Sequence, residues 1–147
     1  YNGKTFPYDE YKFPIIFSSN VFEHIEDINR ILNEIDRVTE KNAIIILLMP
    51  SSSWRIWTTI TDLIKNWHSK KHGVHSNNFI DEIYFFSRYW WKQKLKHKNF
   101  SLCKINSNKI FYTGNTILGD YLSINIRNKL SYLLGSSCNI YILKKIV

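Results

Sequence analysis

The chain has 147 residues, of which 44% are apolar and 22% are charged. This length allows one ordinary domain, which we place over residues 1–147, and the composition is typical of a packed globule rather than a disordered chain. The net charge of +8 favours anionic partners such as nucleic acid or phosphorylated sugars, although charge alone determines neither fold nor function.

Cysteine content and hydropathy indicate the cellular compartment of the protein. Cys103 and Cys138 are the two cysteines, too few for a disulfide framework or a four-cysteine zinc site, and this usage is typical of a reducing, cytoplasmic compartment. The longest apolar run, 43–49, is far shorter than the ~20 residues of a membrane span. Because the sequence begins with Tyr1 rather than Met, we expect it to be part of a longer gene product.

The first half of the chain predicts a strand, a helix and a second strand. The apolar run over 13–19 predicts a strand covered on both faces. Apolar residues then return at helical spacing over 27–39, and we expect that helix to stop at Lys41-Asn42. The run over 43–49 predicts a second buried strand.

Three helical segments follow. Residues 51–53 are serines that can cap a helix over 54–67. Two shorter segments are predicted over 79–86 and 88–98, and Ser87 can cap the second of them. The buried stripe predicted for the first helix consists of Ile56, Ile60, Leu63, Ile64 and Trp67.

The last third predicts two strands, over 100–105 and 140–144, with an extended segment over 109–114 and a helix over 123–134 between them. Gly135 closes that helix. Strands that alternate with helices are typical of an α/β sheet with right-handed crossovers.

In such sheets, ligands bind beyond the carboxyl ends of the strands. This rule directs attention to Ser18, Ser19 and Asn20 after the first strand, and to residues 49–53 after the second.

The stretch from Ile16 to Asp27 resembles a hallmark of class I S-adenosylmethionine (SAM)-dependent methyltransferases. That hallmark is an apolar strand, a Ser or Asn, an apolar-Glu-His-apolar turn and a helix, and the pair here is Glu23-His24. The continuation over 32–38, and Lys41-Asn42 before the next strand, are similar to the family's helix end and fifth strand. Residues 2–8 are similar to the loop before its fourth strand.

Farther along, the chain resembles a polysaccharide-associated branch of these enzymes. The motifs that carry this resemblance are His72-Gly73-Val74-His75, Asp81-Glu82-Ile83, Phe86-Ser87 with Trp90, Phe111-Tyr112-Thr113-Gly114 and Leu134-Gly135-Ser136-Ser137-Cys138. The family's glycine-rich loop and the acidic residue after its second strand have no counterpart. The resemblance therefore implies the C-terminal two-thirds of a partial Rossmann-like methyltransferase domain, with a mostly parallel sheet, an antiparallel last strand and the N-terminal strands missing.

The resemblance implies SAM as cofactor and methyl transfer to a sugar or other small acceptor. His24 is the candidate general base, since imidazole titrates near neutrality, and Glu23 would orient it or hold the cofactor's cationic end. The candidates for cofactor binding are Asn2, Ser18, Ser19 and Asn20. The candidates for acceptor binding are Ser52, Trp54, Arg55, His72, His75, Glu82 and Arg88.

Simpler interpretations stay open for these residues. His24 could cap the helix, and Glu23 could be a carboxylate at the positive end of the helix dipole. The tryptophan could be a core residue, and the charged candidates could form surface ion pairs. His68, His72 and His75 suggest a metal site, but no cysteine or carboxylate cluster accompanies them, and we predict no metal.

Two other functions compete with methyl transfer. The chain could be a non-catalytic fragment or subunit that needs a partner chain or a missing N-terminal segment. The charge and the basic run over 92–98 could indicate a nucleic-acid-binding protein or RNA methyltransferase. A solvated helix face explains that run more simply, so we do not expect a nucleic-acid partner.

Overall fold

A computed structural model describes residues 5–113 and 121–147 and shows a 4-stranded sheet with helices packed against it. The strands are β1 (Phe13–Ser19), β2 (Thr39–Pro50), β3 (Phe100–Ser107) and β4 (Cys138–Lys145), in the spatial order β1-β2-β4-β3. The helices are α1 (Ile28–Val38), α2 (Ser52–Asn66), α3 (Asp81–Phe85), α4 (Arg88–Lys94) and α5 (Ile124–Leu134).

The sheet has the strand directions that the sequence predicts. β1 pairs with β2 in parallel, whereas β4 is antiparallel to both β2 and β3. The first three strands therefore run in one direction and the last runs in the other. As a result, Ser19, Pro50 and Ser107 at the ends of three strands share one edge of the sheet with Cys138 at the start of β4.

The junction between α1 and β2 differs from the prediction. The helix ends at Val38 rather than at Lys41-Asn42, and the Thr39 hydroxyl donates to the carbonyl oxygen of Ile35 at 2.6 Å. Asn42 does adopt the expected left-handed conformation, with φ 63°. It lies inside β2, however, where the β1–β2 register shifts, so it forms an irregularity of the strand rather than a helix cap.

The core lies on one face of the sheet. Leu32 and Ile35 of α1 and Trp91 of α4 pack with Leu47 of β2 and Leu143 of β4, and all five are at most 2% exposed. Burial of this apolar area is the main force that holds the helices on the sheet, at roughly 25 cal/mol per Å².

A buried lysine fixes the end of the last strand. Lys145 is 3% exposed, and its Nζ donates to the carbonyl oxygens of Asp36 at 2.6 Å and Thr39 at 2.9 Å. The same Nζ lies 3.1 Å from Oδ1 of Asp36. Since a buried ammonium is stable only when it is paired and hydrogen-bonded, this contact ties β4 to the α1–β2 junction.

Two surfaces are more exposed than predicted. Ile15 and Phe17 of β1 are 56% and 66% exposed, so the prediction that this strand is covered on both faces is wrong. The predicted stripe of α2 is also wrong, because its members are exposed; Ile56 is 39% exposed and Trp67 is 91% exposed. α2 instead buries Arg55 and Thr58, whose polar groups find partners inside the protein.

Serine caps begin three helices, and two of these caps were predicted. The side chains of Ser51, Ser87 and Ser123 accept hydrogen bonds from the backbone N–H groups of Trp54, Trp90 and Ile126. α4 ends at Lys94, earlier than expected. The longest described helix, α2, has 15 residues, and within residues 5–113 and 121–147 no helix has the length and hydropathy of a membrane span.

Candidate functional site

The turn after β1 carries the predicted catalytic pair. Asn20 adopts a left-handed conformation, with φ 52°, and its N–H donates to the carbonyl oxygen of Leu48 in β2 at 2.8 Å. The chain then makes a short 3-10 turn over Phe22–His24. The side chain of Glu23 in this turn is 0% exposed, whereas that of His24 is 45% exposed. The turn therefore places one inward and one outward group beside the strand end.

Glu23 is a buried acid with no neutralising contact at hydrogen-bond distance. Among the residues that the structure describes, neither carboxylate oxygen has a hydrogen-bond partner. Burial raises the pKa of Glu23 to about 7, because the low-dielectric interior disfavours its charged form. Its Oε1 lies 3.9 Å from Nε2 of His24 and 3.9 Å from Nε2 of His72.

The structure thus brings His72, from a loop far along the sequence, against the Glu-His turn. The rings of His24 and His72 are 4.8 Å apart between centroids, and one ligand-type atom from each of Glu23, His24 and His72 lies within 4.8 Å of the others. We call these three residues the Glu23 cluster. Trp54 is 5.0 Å from the His72 ring, and burial lowers the pKa of His72.

Backbone hydrogen bonds hold the His72 loop in place. The N–H groups of His72 and Gly73 both donate to Oε1 of Glu82 at 2.5 Å, and Val74 N–H donates to the Glu23 carbonyl oxygen at 3.0 Å. A Cβ on Gly73 would lie 3.0 Å from that carbonyl oxygen and 3.3 Å from the ring of Phe86. A larger residue here would have to displace the loop or its neighbours by a few tenths of an ångström.

Arg55 and Glu82 form a buried ion pair behind the loop. Nη1 of Arg55 lies 3.2 Å from Oε2 of Glu82, and the two side chains are 1% and 0% exposed. Arg55 also donates to the hydroxyl groups of Thr59, at 3.1 Å, and Ser69. Both charged residues were predicted to contact the acceptor. Their burial instead suits them to position the His72 loop.

Two cavities lie near the predicted residues. The larger, of about 800 Å³, runs along β1 and α1; its lining is mainly apolar and includes Ser18 and His24. The smaller, of about 440 Å³, is polar and contains Ser52 and Arg88, two of the predicted acceptor residues. Other residues that line it are Ser51, Ser53, Ser87, Ser107, Ser131, Gly135, Ser136 and Asn139.

The remaining candidates are dispersed. Asn2 lies outside the described residues. Ser19 is half-buried at the end of β1, and the Oδ1 of Asn20 is 4.0 Å from Sγ of Cys138. His75 packs on Trp90, with 4.8 Å between ring centroids, rather than facing the Glu23 cluster. The structure therefore groups Glu23, His24 and His72 and leaves His75 apart.

Two contributors were not predicted as site residues. Gly73 allows the loop to approach Glu23, and Phe86 packs against Trp54 with 6.0 Å between ring centroids. The glycine between two histidines in His72-Gly73-Val74-His75 was the available signal, since a glycine beside polar groups often marks a close backbone approach. Phe86 gives no such signal.

Comparisons with known proteins agree with this architecture. Residues 2–47 match a family model described as a methyltransferase domain, and no curated protein sequence matches the chain. Among solved structures, the chain is similar to a protein assigned as a sarcosine dimethylglycine methyltransferase from Galdieria sulphuraria (12% identity, TM-score 0.54). It is also similar to geranyl diphosphate C-methyltransferase from Streptomyces coelicolor A3(2) (11% identity, TM-score 0.55) and to a SAM-dependent methyltransferase from Mesorhizobium loti (10% identity, TM-score 0.50).

The alignments cover nearly all of this chain but only part of each solved chain. The alignments cover 99%, 100% and 99% of this chain, but 58%, 52% and 67% of the three solved chains, respectively. The chain therefore spans little more than half the length of the first two. Over that shared length, it has the same α/β fold as these methyltransferases.

Proposed function

We propose that the chain is part of a SAM-dependent methyltransferase, with its reaction centre at the carboxyl ends of β1 and β2. The observation that carries this proposal is the Glu23-His24 turn, which directly follows β1 and lies beside the cavity of about 800 Å³. Ligands of α/β sheets bind at this edge. The match of residues 2–47 to a methyltransferase domain and the shared fold support the same conclusion.

The residues present suit the cofactor. SAM combines an adenosine with a sulfonium cation, and a cavity of about 800 Å³ is within the range of small-molecule sites, roughly 300–1,000 Å³. Its apolar lining suits the adenine ring, and Ser18 and Asn20 offer polar groups at the strand end. The unpartnered carboxylate of Glu23 is the kind of group that a nearby cation stabilises. Asn2 and Ser19 remain predicted cofactor contacts.

When bound, SAM supplies an electrophilic methyl group. His24, whose ring is half-exposed, accepts the proton of the acceptor hydroxyl. Glu23 stabilises the imidazolium that forms, because its Oε1 lies 3.9 Å from Nε2 of His24. Trp54 and Phe86 pack against the His72 ring, and this apolar cover on one side strengthens the electrostatic interactions of the site.

The proposed acceptor is a sugar or another small hydroxylated molecule. The polar cavity offers serine hydroxyl groups, among them that of Ser52, and the guanidinium of Arg88. Nε of Arg88 donates to Oδ1 of Asn139 at 2.7 Å, so its orientation is fixed. Arginine held in this way suits a phosphorylated or carboxylated sugar. We place the protein in the cytoplasm, because its two cysteines are free and a reducing compartment keeps them so.

Transfer of a labelled methyl group tests the function. The whole protein is incubated with methyl-labelled SAM and a panel of sugars, nucleotide sugars, sugar phosphates and total RNA, and labelled products are separated chromatographically. We expect a labelled sugar product, and Arg88→Ala should raise KM for that acceptor more than it lowers kcat. A labelled RNA product and no labelled sugar would favour the nucleic-acid alternative.

A second proposal concerns the free edge of β1. Among the described strands, β1 pairs only with β2, and its Ile15 and Phe17 are more than half exposed. An exposed apolar edge is a site for strand pairing. We propose that a further strand, from another segment of the protein or a partner chain, lies beside β1 and completes the cofactor site.

Calorimetry with S-adenosylhomocysteine tests this second proposal. We expect weak binding to residues 1–147 alone and tight binding to the complete protein or complex. Micromolar affinity of residues 1–147 alone would contradict the proposal.

A further inference from the structure

We propose that the Glu23 cluster binds a divalent transition-metal ion, with Zn²⁺ as the reference ion. The cluster combines one carboxylate with two imidazoles, and its three ligand-type atoms lie within 4.8 Å of one another. Two histidines and one glutamate are a ligand set that binds catalytic zinc. The sequence predicted no metal because only the folded chain brings Glu23 and His72 together.

The burial of the Glu23 carboxylate and its lack of hydrogen-bond partners among the described residues independently indicate that a cation binds beside it. Its side chain is 0% exposed, and neither of its oxygens has a hydrogen-bond partner among the described residues. A buried carboxylate without such partners is costly unless it is paired with a positive charge or coordinates a metal. Its Oε1 is 3.9 Å from Nε2 of both histidines, so an ion placed between these atoms would supply the missing charge.

The dimensions of the cluster suit a small ion after a modest contraction. Zinc binds imidazole nitrogen and carboxylate oxygen at about 2.0–2.2 Å, which puts neighbouring ligand atoms of a tetrahedron roughly 3.3 Å apart. The two Glu–His separations of 3.9 Å need to close by about half an ångström. The ligand atoms of the two histidines lie within 4.8 Å of each other and need to close by at most about 1.5 Å, which rotation of these half-exposed rings supplies. Imidazole ligands favour zinc, iron, nickel or copper over Mg²⁺.

The exposure of the two histidines indicates a catalytic rather than a structural type of metal site. The side chains of His24 and His72 are 45% and 39% exposed, so the solvent side of the cluster is open to water or to an acceptor oxygen. Catalytic zinc sites keep one such position open, whereas structural sites are closed by four protein ligands.

The surrounding residues hold the ligands in position. Glu82 accepts the N–H groups of His72 and Gly73 at 2.5 Å, and Arg55 pairs with Glu82. Both residues act on the backbone of the loop that carries His72 and thereby fix where its imidazole lies. Arg55 and Glu82 are therefore positioning residues of the proposed site.

The ion would change the role of His24, and this step alone rests on the proposed function. With its Nε2 lone pair on the ion, His24 no longer accepts the acceptor's proton. The acceptor hydroxyl would bind the open position, where the positive charge lowers its pKa, and would lose its proton to solvent before the methyl group is transferred.

Metal binding itself is tested without cofactor or acceptor. The whole protein is freed of metal with a chelator and titrated with Zn²⁺ by equilibrium dialysis, and then with Co²⁺, whose visible spectrum reports nitrogen and oxygen ligands. We expect one ion per chain, a rise in the melting temperature with Zn²⁺, and at least tenfold weaker binding in both His24→Ala and His72→Ala. These two side chains are half-exposed, so the variants should fold.

His68→Ala is the matched control, because His68 is an exposed histidine that lies just before the same loop and contacts the carbonyl oxygen of Asn66. It should bind Zn²⁺ like the original protein. Absence of saturable binding, or equal affinity in both cluster variants and the control, would overturn the site. Failure of methyl transfer would not, since no SAM is present; conversely, loss of the site would leave His24 free to act as the base.

Discussion

The backbone N–H of Val74 donates to the carbonyl oxygen of Glu23 at 3.0 Å, which joins the loop after α2 to the turn after β1. The two backbones therefore meet directly, and this contact acts together with the buried Glu82 side chain to fix Glu23 and His72 relative to each other. A site built on such a contact is preorganised.

Gly73→Ala tests this close approach. Its new Cβ would lie 3.0 Å from the Glu23 carbonyl oxygen and 3.3 Å from the Phe86 ring, so the loop must shift outward. We expect a loss of about 1–3 kcal/mol in the free energy of unfolding, measured by urea denaturation. Asn77→Ala, at an exposed position of the same loop, should change it by less than about 0.5 kcal/mol. Equal effects of the two substitutions would contradict the argument.

Glu82→Gln tests the buried ion pair. It leaves the Arg55 guanidinium, 1% exposed, without its charge partner, and breaking a buried pair in this way costs about 3–5 kcal/mol. The exposed pair Lys12–Asp9, at 3.9 Å, provides the control, and Asp9→Asn should have little effect on the unfolding free energy. If Glu82→Gln unfolds at the same urea concentration as Asp9→Asn, the pair does not stabilise the fold.

His75 should make the protein less stable in acid. Burial lowers its pKa below the ordinary value of 6.5, so the unfolded chain takes up a proton at a higher pH than the native protein does. As the pH falls below about 6.5, the unfolded state binds more protons, and the free energy of unfolding decreases until the native pKa is passed. Above about pH 6.5, His75 does not make the free energy of unfolding depend on pH.

His75→Phe should therefore show a shallower loss of melting temperature between about pH 7 and 5. The ring remains able to pack on Trp90. His68→Phe, at an exposed position, is the control and should follow the original protein. Parallel pH profiles for His75→Phe and the original protein would show that His75 is not responsible.

His24→Gln should lower turnover without a matching loss of cofactor affinity. Glutamine can hydrogen-bond but cannot act as a base near neutrality, and general-base catalysis typically contributes 10²–10⁴-fold. Steady-state kinetics of methyl transfer and calorimetry with S-adenosylhomocysteine give the two quantities. Unchanged turnover would exclude His24 from proton transfer and from metal binding that matters to the reaction.

Ile15→Lys should reduce self-association or partner capture through the β1 edge. Ile15 is 56% exposed, and lysine on an edge strand opposes pairing with another chain. Sedimentation velocity should show a smaller mean size or the loss of a copurified partner. Ile64→Lys, at a 71% exposed position on α2, controls for charge. An equal response to both substitutions would mean that the edge has no special role.

Sequence patterns predicted the β1-α1-β2 unit and the serine caps of α2 and α4 because these depend on local chemistry. The apolar runs over 13–19 and 43–49 are long enough to identify strands, and a serine before a helix caps it whatever surrounds it. The exposed stripe of α2 was not predictable in this way. Its orientation depends on Arg55, which finds Glu82 only after the chain has folded.

Part of the candidate site was also predictable, because two of its residues lie in a local sequence motif. The Glu23-His24 pair lies in a local motif, so its position after a strand followed from the sequence. The contact of His72 with this pair could not be predicted from the sequence. Its loop lacks helical or strand periodicity and is held by backbone N–H groups that donate to Glu82. Such contacts leave no mark on the spacing of apolar residues.

The position of β4 between β2 and β3 has a consequence for synthesis. On the ribosome, β3 emerges before β4, its pairing partner among the described strands, so this edge of the sheet cannot form until Lys145 has left the exit tunnel. The last pairing must then form at long range, which slows folding and extends the time during which apolar strands are exposed. Chaperones that hold nascent chains should therefore stay bound to this part of the protein until β4 has emerged and paired.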